Sequence, residues 1–417
     1  MAKDDKSTAM PKLRFSEFRG AWKEQELGRF LTESRIPGND GSNAKKLTVK
    51  LWGNGVFEKV ETIKGSASTQ YYKRKAGQFI YSKLDFLNQA FGIIPDHLDG
   101  FESTVDLPCF DVGAGLNPQF LLEYVQRKDF YKRFGEIADG GRKAKRIQVE
   151  SFLSFPIAVP ERTKEQQQIA DCLTSLDEVI ATQGRKVEAL RAHKRGLMQQ
   201  LFPREGETIP RLRLPEFRDG PEWEEKALRD VCERIMDGTH FSPKTKDGPR
   251  PYLTSKNIRD GRIDLSTVSF ISEDEHSEIY KRCPVRKHDV LLTKDGANTG
   301  NCAINTLDYE FSLLSSVAVL RGNSSQLTHE FLYQSIASER MQTIIQNSMS
   351  GQAITRITLE KLGLFPIMVP GISEQQRIAD CLASLDARIT AESEKFSAAK
   401  THKKGLMQQL FPSLEEI

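Results

Sequence analysis

Residues 165–203 read EQQQIADCLTSLDEVIATQGRKVEALRAHKRGLMQQLFP, and residues 374–412 read EQQRIADCLASLDARITAESEKFSAAKTHKKGLMQQLFP. The two segments are identical at 24 of 39 positions without a gap. The similarity continues upstream: FPIAVP corresponds to FPIMVP, and PKLRFSEFRGAW from Pro11 corresponds to PRLRLPEFRDGPEW from Pro210. Self-similarity at one fixed spacing is the signature of a duplicated architecture. The chain is therefore predicted to contain two tandem halves of about 200 residues each.

Apolar residues in both segments recur at steps of four and three, which is the spacing of coiled-coil a and d positions. They are Ile169, Leu173, Leu176, Ile180, Val187, Leu190, Leu197 and Leu201 in the first segment, and Ile378, Leu382, Leu385, Ile389, Phe396, Leu406 and Leu410 in the second. A helix of roughly 37 residues is 55 Å long, which exceeds the core of one ordinary domain. A coiled coil is therefore favoured over an amphipathic helix lying on its own domain. Four polar residues interrupt the stripe and are expected to fix its register, namely Gln183, Glu392, Lys194 and Lys403.

The connections predict how the two helices run. The first helix ends at LFPREGETIP, and the second half begins within about ten residues of that end. The second helix starts where the second globular domain ends, so it must run back to pack against the first. An antiparallel pair follows, with one globular domain at each end. Gly184 costs about 1 kcal/mol in mid-helix and is expected to mark a local bend.

The remaining segments lack long heptads and show short β-like runs such as GQFIYSK, DLPCFDV, HDVLLTK and SSVAVLR. Amphipathic helical stretches lie between these runs, for example at 120–133 and 330–347. The predicted fold class is α+β, with two mixed domains separated by two long helices in an antiparallel coiled coil. We place a disordered N-terminus at 1–10, the first domain at 11–153, the first helical spacer at 154–205, the second domain at 206–363 and the second spacer at 364–417. Lys83 corresponds to Lys294 and GRKAKRIQVESF to GQAITRITLEKL, so similar scaffolds with different surface loops are expected.

Composition excludes several classes of protein. The 417 residues are 38% hydrophobic and 28% charged, and no apolar run approaches the roughly 20 residues that span a bilayer. The start, MAKDDKSTAM, has no apolar stretch like that of a signal peptide, so the cytoplasm is the expected compartment. Six cysteines form no C-x-x-C pair, and seven histidines form no cluster with them, so no disulfide framework and no metal site are expected. The net charge of +3 neither requires nor excludes nucleic acid.

Several segments approach known catalytic motifs, but the residues or spacing that those motifs require are not present. NPQF at 117–120 lacks the second proline of the N-P-P-[FY] loop of amino-methyltransferases, and DVGAG lies too close to it to form a cofactor loop. The glycine-rich TKDGANTG at 293–300 is explained by a strand followed by a turn, although a loop that contacts DNA bases or backbone stays open. No phosphate-binding loop of the G-x-x-x-x-G-K-[ST] type occurs. The chain is therefore predicted to have no catalytic residues.

Cations, aromatic residues and amides cluster in both globular domains, as in surfaces that bind nucleic acid. The candidates in the first domain are Tyr71, Tyr72, Lys73, Arg74 and Lys75, with Arg142, Lys143, Lys145 and Arg146. Those in the second domain are Lys244, Lys246, Arg250, Asn257, Lys294, Asn298 and Arg356. A single charge run is usually a solvated face, but such runs in two corresponding halves favour binding. Arg and Lys suit guanine and Asn suits adenine in the major groove.

The paired helices resemble those of a known family, the specificity subunits of type I restriction-modification systems. In that family the helices open with a proline followed by an E-Q-x-x-I element, present here as VPERTKEQQQI and VPGISEQQRI. The YLTSKNIRDGRI, VLLTKDGANTG and SSVAVLR segments resemble one of its target recognition domains, and QAFGIIPDHLDGFESTVDLPCF resembles a recognition domain of a different class. The resemblance covers essentially the whole chain. It implies a non-catalytic subunit that reads an asymmetric, bipartite site in double-stranded DNA.

The same resemblance implies the partners. Two methyltransferase subunits would use S-adenosylmethionine to methylate adenine, and two motor and nuclease subunits would use ATP and Mg²⁺, so neither cofactor is bound by this chain. The flanks of the helices near EQQ and near GLMQQLF are expected to be exposed and to dock these subunits. The alternative is a two-headed coiled-coil scaffold that binds no DNA. It would keep the coiled coil and lose the basic loops.

Overall fold

The structure is a computed structural model that describes residues 8–60, 65–136, 146–245, 247–259, 261–349 and 356–413. Within these residues no helix is long and apolar enough to cross a membrane. Within the predicted disordered segment 1–10, Thr8–Ala9 form a strand paired with Trp22 and Lys23, and residues 1–7 lie outside the described residues.

The first half of the chain contains short strands, three short helices and one long helix. Its strands are β1 (Thr8–Ala9), β2 (Trp22–Glu26), β3 (Leu31–Ser34), β4 (Ile36–Asp40), β5 (Leu47–Val49), β6 (Val56–Glu58), β7 (Gln70–Lys73), β8 (Phe79–Tyr81), β9 (Phe91–Ile93), β10 (Glu102–Ser103), β11 (Cys109–Val112) and β12 (Pro156–Val159). Its helices are α1 (Pro118–Val125), α2 (Lys128–Gly135), α3 (Val149–Leu153) and α4 (Thr163–Leu201).

The second half contains short strands, five short helices and one long helix. Its strands are β13 (Glu224–Ala227), β14 (Cys232–Asp237), β15 (Arg250–Leu253), β16 (Ile258–Arg259), β17 (Arg262–Ile263), β18 (Ser269–Ile271), β19 (Val290–Thr293), β20 (Cys302–Ile304), β21 (Ser312–Leu313), β22 (Val317–Gly322) and β23 (Pro366–Val369). Its helices are α5 (Leu228–Val231), α6 (Glu273–Arg282), α7 (His329–Ala337), α8 (Glu339–Met349), α9 (Leu359–Gly363) and α10 (Ile372–Leu410).

The central sheets of the two halves correspond strand by strand. The antiparallel sheet β3-β11-β8-β9 corresponds to β14-β22-β19-β20, and the pair of β2 with β12 corresponds to that of β13 with β23. Each half also has a further three-stranded sheet, but β10-β7-β4 is antiparallel throughout, whereas β18-β15-β21 contains the parallel pair of β15 and β21. The expectation of similar scaffolds with different loops is therefore confirmed.

Each predicted helical stretch between the strands is two helices. The stretch at 120–133 divides into α1 and α2, and the stretch at 330–347 divides into α7 and α8. Arg127 and Ser338 lie at the breaks in extended backbone conformation, with ψ of 136° and 147°. An extended residue ends the run of helical hydrogen bonds.

The described chain packs into two compact units, and the division cuts both long helices. The first unit holds residues up to Gly184 together with those from Glu394 onward, and the second holds Arg185–Ser393. Each unit therefore contains one globular domain, the beginning of the long helix that follows this domain, and the end of the other long helix. The domain boundaries predicted at 153, 205 and 363 divide the chain into consecutive segments. They therefore do not describe units in which the end of one long helix belongs with the domain of the other half.

Aromatic side chains form the core of the first unit. Phe152 on α3 contacts Phe79 and Tyr81 of the central sheet, with its ring centroid 5.8 and 4.5 Å from theirs. Phe411 follows the end of α10 and enters this core, where its ring centroid lies 5.3 Å from that of Phe120 and 6.2 Å from that of Trp22. The C-terminal LFP motif is thus part of the hydrophobic core of the first domain.

The second unit repeats this arrangement with the end of α4. The ring centroid of Phe202 lies 5.5 Å from that of Phe331 and 6.0 Å from that of Trp223. The rest of the core is aliphatic, with Val290, Leu292 and Leu320 on the central sheet. In both units the same repeated motif therefore closes the core of the domain encoded by the other half of the chain.

Within each unit the two long helices pack antiparallel. In the first unit, the start of α4, with Ile169 and Leu173, shares a core with Leu410 at the end of α10. In the second unit, the end of α4, with Leu201, shares a core with Ile378 at the start of α10. The predicted antiparallel coiled coil is confirmed, and none of the fifteen residues predicted for its apolar stripe is fully exposed. The helix is continuous through Gly184, and a Cβ at Gly184 would lie 3.2 Å from the Phe396 ring.

The first two residues of the EQQ motif are buried, whereas its third residue, Gln167, is exposed, so an exposed docking flank near this motif stays a prediction. Glu165 accepts hydrogen bonds from Arg14 at 2.7 Å and from the indole of Trp22. The amide of Gln166 donates to the carbonyl oxygens of Gly115 and Pro160. Each buried polar group thus has partners, as burial requires. The motif anchors the helix to its own domain.

The second unit contains the same contacts. Arg213 donates to both oxygens of Glu374 at 2.8 Å, and Gln375 donates to the carbonyl oxygens of Gln326 and Pro370. The repeated P-[KR]-L-R segment thereby acquires a structural role, because its arginine pairs with the glutamate that begins each EQQ motif.

Lysines that interrupt the apolar stripe pair with aspartates across the two helices. Lys194 lies 2.6 Å from Asp386 in the second unit, and Lys403 lies 2.6 Å from Asp177 in the first. Lys403 also lies 3.0 Å from the buried carboxyl of Glu123 on α1. A polar pair of this kind penalises any other register of the coiled coil.

Replacement of Lys403 by Met is expected to destabilise the first unit in a pH-dependent manner. Burial raises the pKa of the Glu123 carboxyl, and Lys403 opposes that rise. Without the ammonium the folded-state pKa rises further, whereas the unfolded carboxyl ionises near about 4.3. The native state is therefore penalised increasingly as the pH rises above that value. We expect a loss of unfolding free energy of about 2 kcal/mol at pH 8 and a smaller loss at pH 5, measured by urea denaturation. An equal loss at both pH values would contradict this role for Glu123.

Candidate nucleic-acid interface

The end of the central sheet in the second domain gathers four segments around the backbone of Lys294. The Lys294 amide donates to the carbonyl of Ser316 at 2.9 Å, and its carbonyl accepts from Ile357 at 3.0 Å. Asp295 forms a β-bridge with Arg356, and the side chain of Asn298 reaches the carbonyl of Ser255 at 3.4 Å. The loops that follow β14 and β19 therefore meet the segment that begins at Arg356. These backbone contacts bring Asn298 and Arg356 together.

The Lys294 side chain itself is not available to a ligand, contrary to the prediction. It is 1% exposed, and its ammonium lies 3.1 Å from Asp237 at the end of β14. A buried cation is stable only when it is paired, and this pair joins the ends of β14 and β19. Lys294 therefore holds the candidate surface in place from beneath.

Exposed groups at this edge are Arg356, His240, Phe241 and Lys256. The Arg356 guanidinium lies 3.0 Å from the Nδ1 atom of His240, and the Phe241 side chain is 74% exposed. Phe241 is absent from the sequence-based candidates, although a phenylalanine within the polar stretch GTHFSP was a usable signal. An exposed aromatic ring beside cations suits stacking on a base or sugar. We call these residues the Arg356 edge.

Two other candidates in the second domain have structural roles. Asn257 is buried, and its side chain completes a capping box with Thr254, so the prediction that it contacts DNA is wrong. The Arg250 guanidinium donates to both oxygens of Glu273 at 2.7 and 2.8 Å, and this contact lowers the pKa of the Glu273 carboxyl.

Lys244 is exposed, with its backbone amide bonded to Glu275. Lys246 lies outside the described residues.

In the first domain, Arg74 is buried at 2% exposure, so the prediction that it contacts DNA is also wrong. Its guanidinium donates to Ser103 and to the carbonyl of Ser34, at 2.8 and 2.7 Å. Burial lowers the pKa of this guanidinium. Its Cζ atom lies 5.6 Å from the Tyr72 ring centroid. Arg74 thus ties β7 to β3 and β10.

The other candidates of the first domain are partly accessible. Tyr71 and Tyr72 are half-buried on β7, while Lys73 and Lys75 are exposed. Arg146 is about half exposed, and its guanidinium lies 3.7 Å from Asp106. The three other predicted cations, Arg142, Lys143 and Lys145, lie outside the described residues.

Arg146 and Arg356 occupy equivalent positions in the two domains. Arg146 precedes Ile147, whose amide donates to the carbonyl of Lys83 at 3.1 Å, just as Ile357 donates to that of Lys294. Lys83 lies two residues after the end of the core strand β8, and Lys294 lies one residue after the end of β19. Each domain therefore presents an arginine at the same edge of its central sheet, surrounded by loops that differ.

Metal binding and thiol reactivity depend on how side chains are arranged in the described parts of the chain. Among those residues no group of three or more His, Cys, Asp or Glu side chains could hold a metal ion. Burial raises the pKa of the Cys109, Cys232, Cys283 and Cys302 thiols to about 12, which keeps them protonated at neutral pH. The NPQF segment is a helix start, because the Asn117 side chain accepts a hydrogen bond from the Phe120 amide.

Comparison with known proteins identifies relatives of both sequence and fold. Residues 221–398 match the family model of the type I restriction modification DNA specificity domain. The specificity subunit of the type I restriction enzyme MjaVIII from Methanocaldococcus jannaschii is 26% identical over 266 residues, which are 62% of this chain and 62% of that protein. The match therefore spans less than two thirds of that relative. The EcoBI specificity subunit of Escherichia coli is 28% identical over 154 residues, 37% of this chain and 32% of that one.

Two solved structures share the fold over nearly the whole chain. The S subunit of a type I restriction-modification system from M. genitalium superposes with a TM-score of 0.61 at 14% identity, covering 97% of this chain and 99% of that one. A chain from a structural study of complex assembly and conformational transition of a type I restriction-modification system gives a TM-score of 0.55 at 15% identity, over 95% and 99%.

Proposed function

We propose that this chain, which belongs to the family of specificity subunits of type I restriction-modification systems, recognises the DNA sequence for such a system. The observation that carries the proposal is the repeated position of Arg146 and Arg356 at the same edge of two similar sheets. In that position each arginine can reach a phosphate or a guanine edge, and the surrounding loops supply the contacts that differ.

The two edges differ in their side chains, which supports an asymmetric target. The Arg356 edge carries Phe241 and His240, whereas Arg146 lies beside Asp106. Two different surfaces read two different half-sites, so the proposed target is bipartite, with an unread spacer between the half-sites. The subunit acts without catalysis of its own in this proposal.

The proposed partners follow from the family. Two methyltransferase subunits would methylate adenine with S-adenosylmethionine, after flipping the base out of the duplex. Two motor and nuclease subunits would cut unmodified DNA with ATP and Mg²⁺. The twofold sequence repeat supports two copies of each partner, because equivalent surfaces bind equivalent subunits.

Methylation mapping tests the proposal directly. The chain is co-expressed with the methyltransferase subunit encoded beside it, and modified adenines are mapped across the host genome. We expect a gapped, asymmetric motif that disappears when this chain is deleted. The absence of any motif, with the partner soluble and present, would overturn the proposal in favour of a scaffold that binds no DNA.

Single substitutions then assign the half-sites. Arg356→Ala is expected to reduce methylation at least tenfold and to relax the motif at one half-site, since a bidentate contact to guanine contributes about 1–3 kcal/mol of discrimination. Arg146→Ala, at the equivalent position, is the matched variant and should relax the other half-site. If both substitutions changed the same half-site, the assignment of one half-site to each domain would be wrong.

A further inference from the structure

A cavity of 540 Å³ in the first unit is lined by an excess of positive charge. Its charged residues are the four cations Lys12, Arg127, Lys128 and Lys404 and a single acid, Asp129. Among the described residues none of these four cations forms an ion pair with a carboxylate. Apolar groups of Tyr131, Met407 and Phe411 complete the wall. We call this cavity the Arg127 cavity.

Arg127 is a fixed and buried charge in this wall, and Asp129 is the acid of the wall that interacts with it. Its side chain is 7% exposed, and its Nη1 atom donates to the carbonyl of Pro412 at 2.8 Å. The guanidinium lies 4.2 Å from the ring centroid of Tyr124 and 5.0 Å from that of Phe411. Its Nη2 atom has no hydrogen-bond partner in the described chain. Because four cations share this wall with a single acid, an anion in the cavity would be favoured.

An exposed tryptophan lies on a loop whose backbone is bonded to the segment that contributes Gln89 to the cavity wall. Trp52 is 60% exposed and has a φ of 61°, a left-handed conformation that is strained for a bulky residue. Its amide donates to the carbonyl of Asn88 at 2.7 Å, and that of Gly53 donates to Gln89 at 3.0 Å. Gln89 also has a positive φ, of 54°, and lines the cavity. Strained residues cluster where function maintains them, and exposed aromatic residues are typical anchors of interfaces.

The second unit carries different charges at the equivalent positions. A groove of 380 Å³ beside Arg195 and Met198, which correspond to Lys404 and Met407 in the helix repeat, is also lined by Arg191, Lys194 and Asp386. At the positions of Arg127 and Lys128, however, stand Ser338 and Glu339, and Glu339 accepts a hydrogen bond from Gln199. The buried guanidinium of the Arg127 cavity therefore has no equivalent in the second unit, whereas cations of the helix repeat line a groove in both units.

We propose that the Arg127 cavity binds an acidic peptide segment of a protein partner. Carboxylates of this segment face Arg127, Lys128 and Lys404, and a neighbouring apolar side chain packs against Trp52 and Met407. A duplex phosphate backbone is a poorer match, because it suits an open row of cations, whereas half of this wall is apolar. The inference goes beyond the reading of DNA and does not depend on it.

Peptide binding to the full-length chain tests this site. The probe is a fluorescein-labelled hexapeptide of alternating glutamate and leucine, and its counterpart replaces each glutamate with glutamine. Binding is followed by fluorescence anisotropy and by tryptophan emission, which reports on Trp52 because Trp22 and Trp223 are buried. We expect the glutamate peptide to bind at least tenfold more tightly than the glutamine peptide, and added salt to weaken it.

Charge reversal at the rim provides the decisive comparison. Lys128→Glu combined with Lys404→Glu should weaken binding of the glutamate peptide at least tenfold, whereas Lys281→Glu, on exposed α6 of the second unit, should leave it unchanged. Equal affinity for both peptides, or an unchanged affinity in the double variant, would overturn the proposal. The proposal would also be overturned if neither peptide bound and the double variant bound a random DNA duplex more weakly than the unchanged chain. The cavity would then contact phosphate. None of these results bears on the methylation motif, so the proposed function is tested separately.

Discussion

Replacing Glu374 by Gln is expected to lower the free energy of unfolding of the second unit by about 3–5 kcal/mol. Glu374 and Arg213 form a bidentate ion pair in which both side chains are buried, at 4% and 7% exposure. The remaining donors of Arg213 bind the carbonyl oxygens of Gly220 and Pro221. The substitution keeps the shape of the side chain but leaves the buried guanidinium without a counter-charge.

Hydrogen exchange of the full chain, resolved by peptide, measures this effect in each unit. The matched control is Arg377→Ala, which removes the pair of Arg377 with Glu216 at the start of the same helix. Those side chains are 60% and 42% exposed, so solvent screens the pair and a loss of about 0–1 kcal/mol is expected. Equal losses in the two variants would show that the EQQ motif does not anchor the helix through its buried glutamate.

Phe411→Ala is expected to destabilise the first unit by about 3–5 kcal/mol. The Phe411 ring is 1% exposed and contacts Trp22, Phe120 and Tyr124, with the Arg127 guanidinium over its face. Its removal leaves a cavity in an aromatic core and deprives α10 of its attachment to the first domain. Because Phe411 lies next to the C-terminal end of the described residues, the result would show how strongly one unit depends on a distant part of the sequence.

The internal repeat supplies the control for this prediction. Phe202→Ala changes the equivalent residue, which is partly exposed and contacts Trp223 and Phe331. A smaller loss, of about 2 kcal/mol and confined to the second unit, is expected because less apolar surface is uncovered. Urea denaturation and exchange by peptide distinguish the two units. Phe411→Ala could lower the free energy of unfolding of the first unit no more than a surface substitution does. That result would refute the docking role of the repeated LFP motif.

The local pattern of apolar and polar residues was sufficient to predict much of the architecture. The spacing of residues such as Leu173 and Leu382 predicted the long helices, since one periodicity places them on one helical face. Short connections between elements predicted the antiparallel pairing, and the β-like runs around Tyr81 and Leu291 proved to be the central strands β8 and β19. These features depend on neighbours in the sequence, which the sequence displays directly.

The accessibility of individual polar side chains was not predictable in the same way. Arg74, Asn257 and Lys294 have the composition of a DNA-binding surface but are buried. Segments distant in sequence supply the acceptors of Arg74 and Lys294, whereas Asn257 bonds within its own turn. Phe241 was missed for the opposite reason, since an aromatic residue is usually assigned to the core. Residue type restricts what a side chain can contact, but burial is decided by segments that only the folded chain brings together.

The sequence by itself determined the duplication, the two helices, their stripe of apolar residues and the family to which the chain is similar. The tertiary structure alone decided that the end of each long helix completes the core of the other half's domain, as Phe411 and Phe202 do. It also decided that the first two residues of each EQQ motif are buried anchors, and that the first unit carries the Arg127 cavity. Periodicity is a local property and can be read along the chain, whereas these contacts join residues as far apart as Arg127 and Pro412, whose pairing depends on the packing of the whole unit.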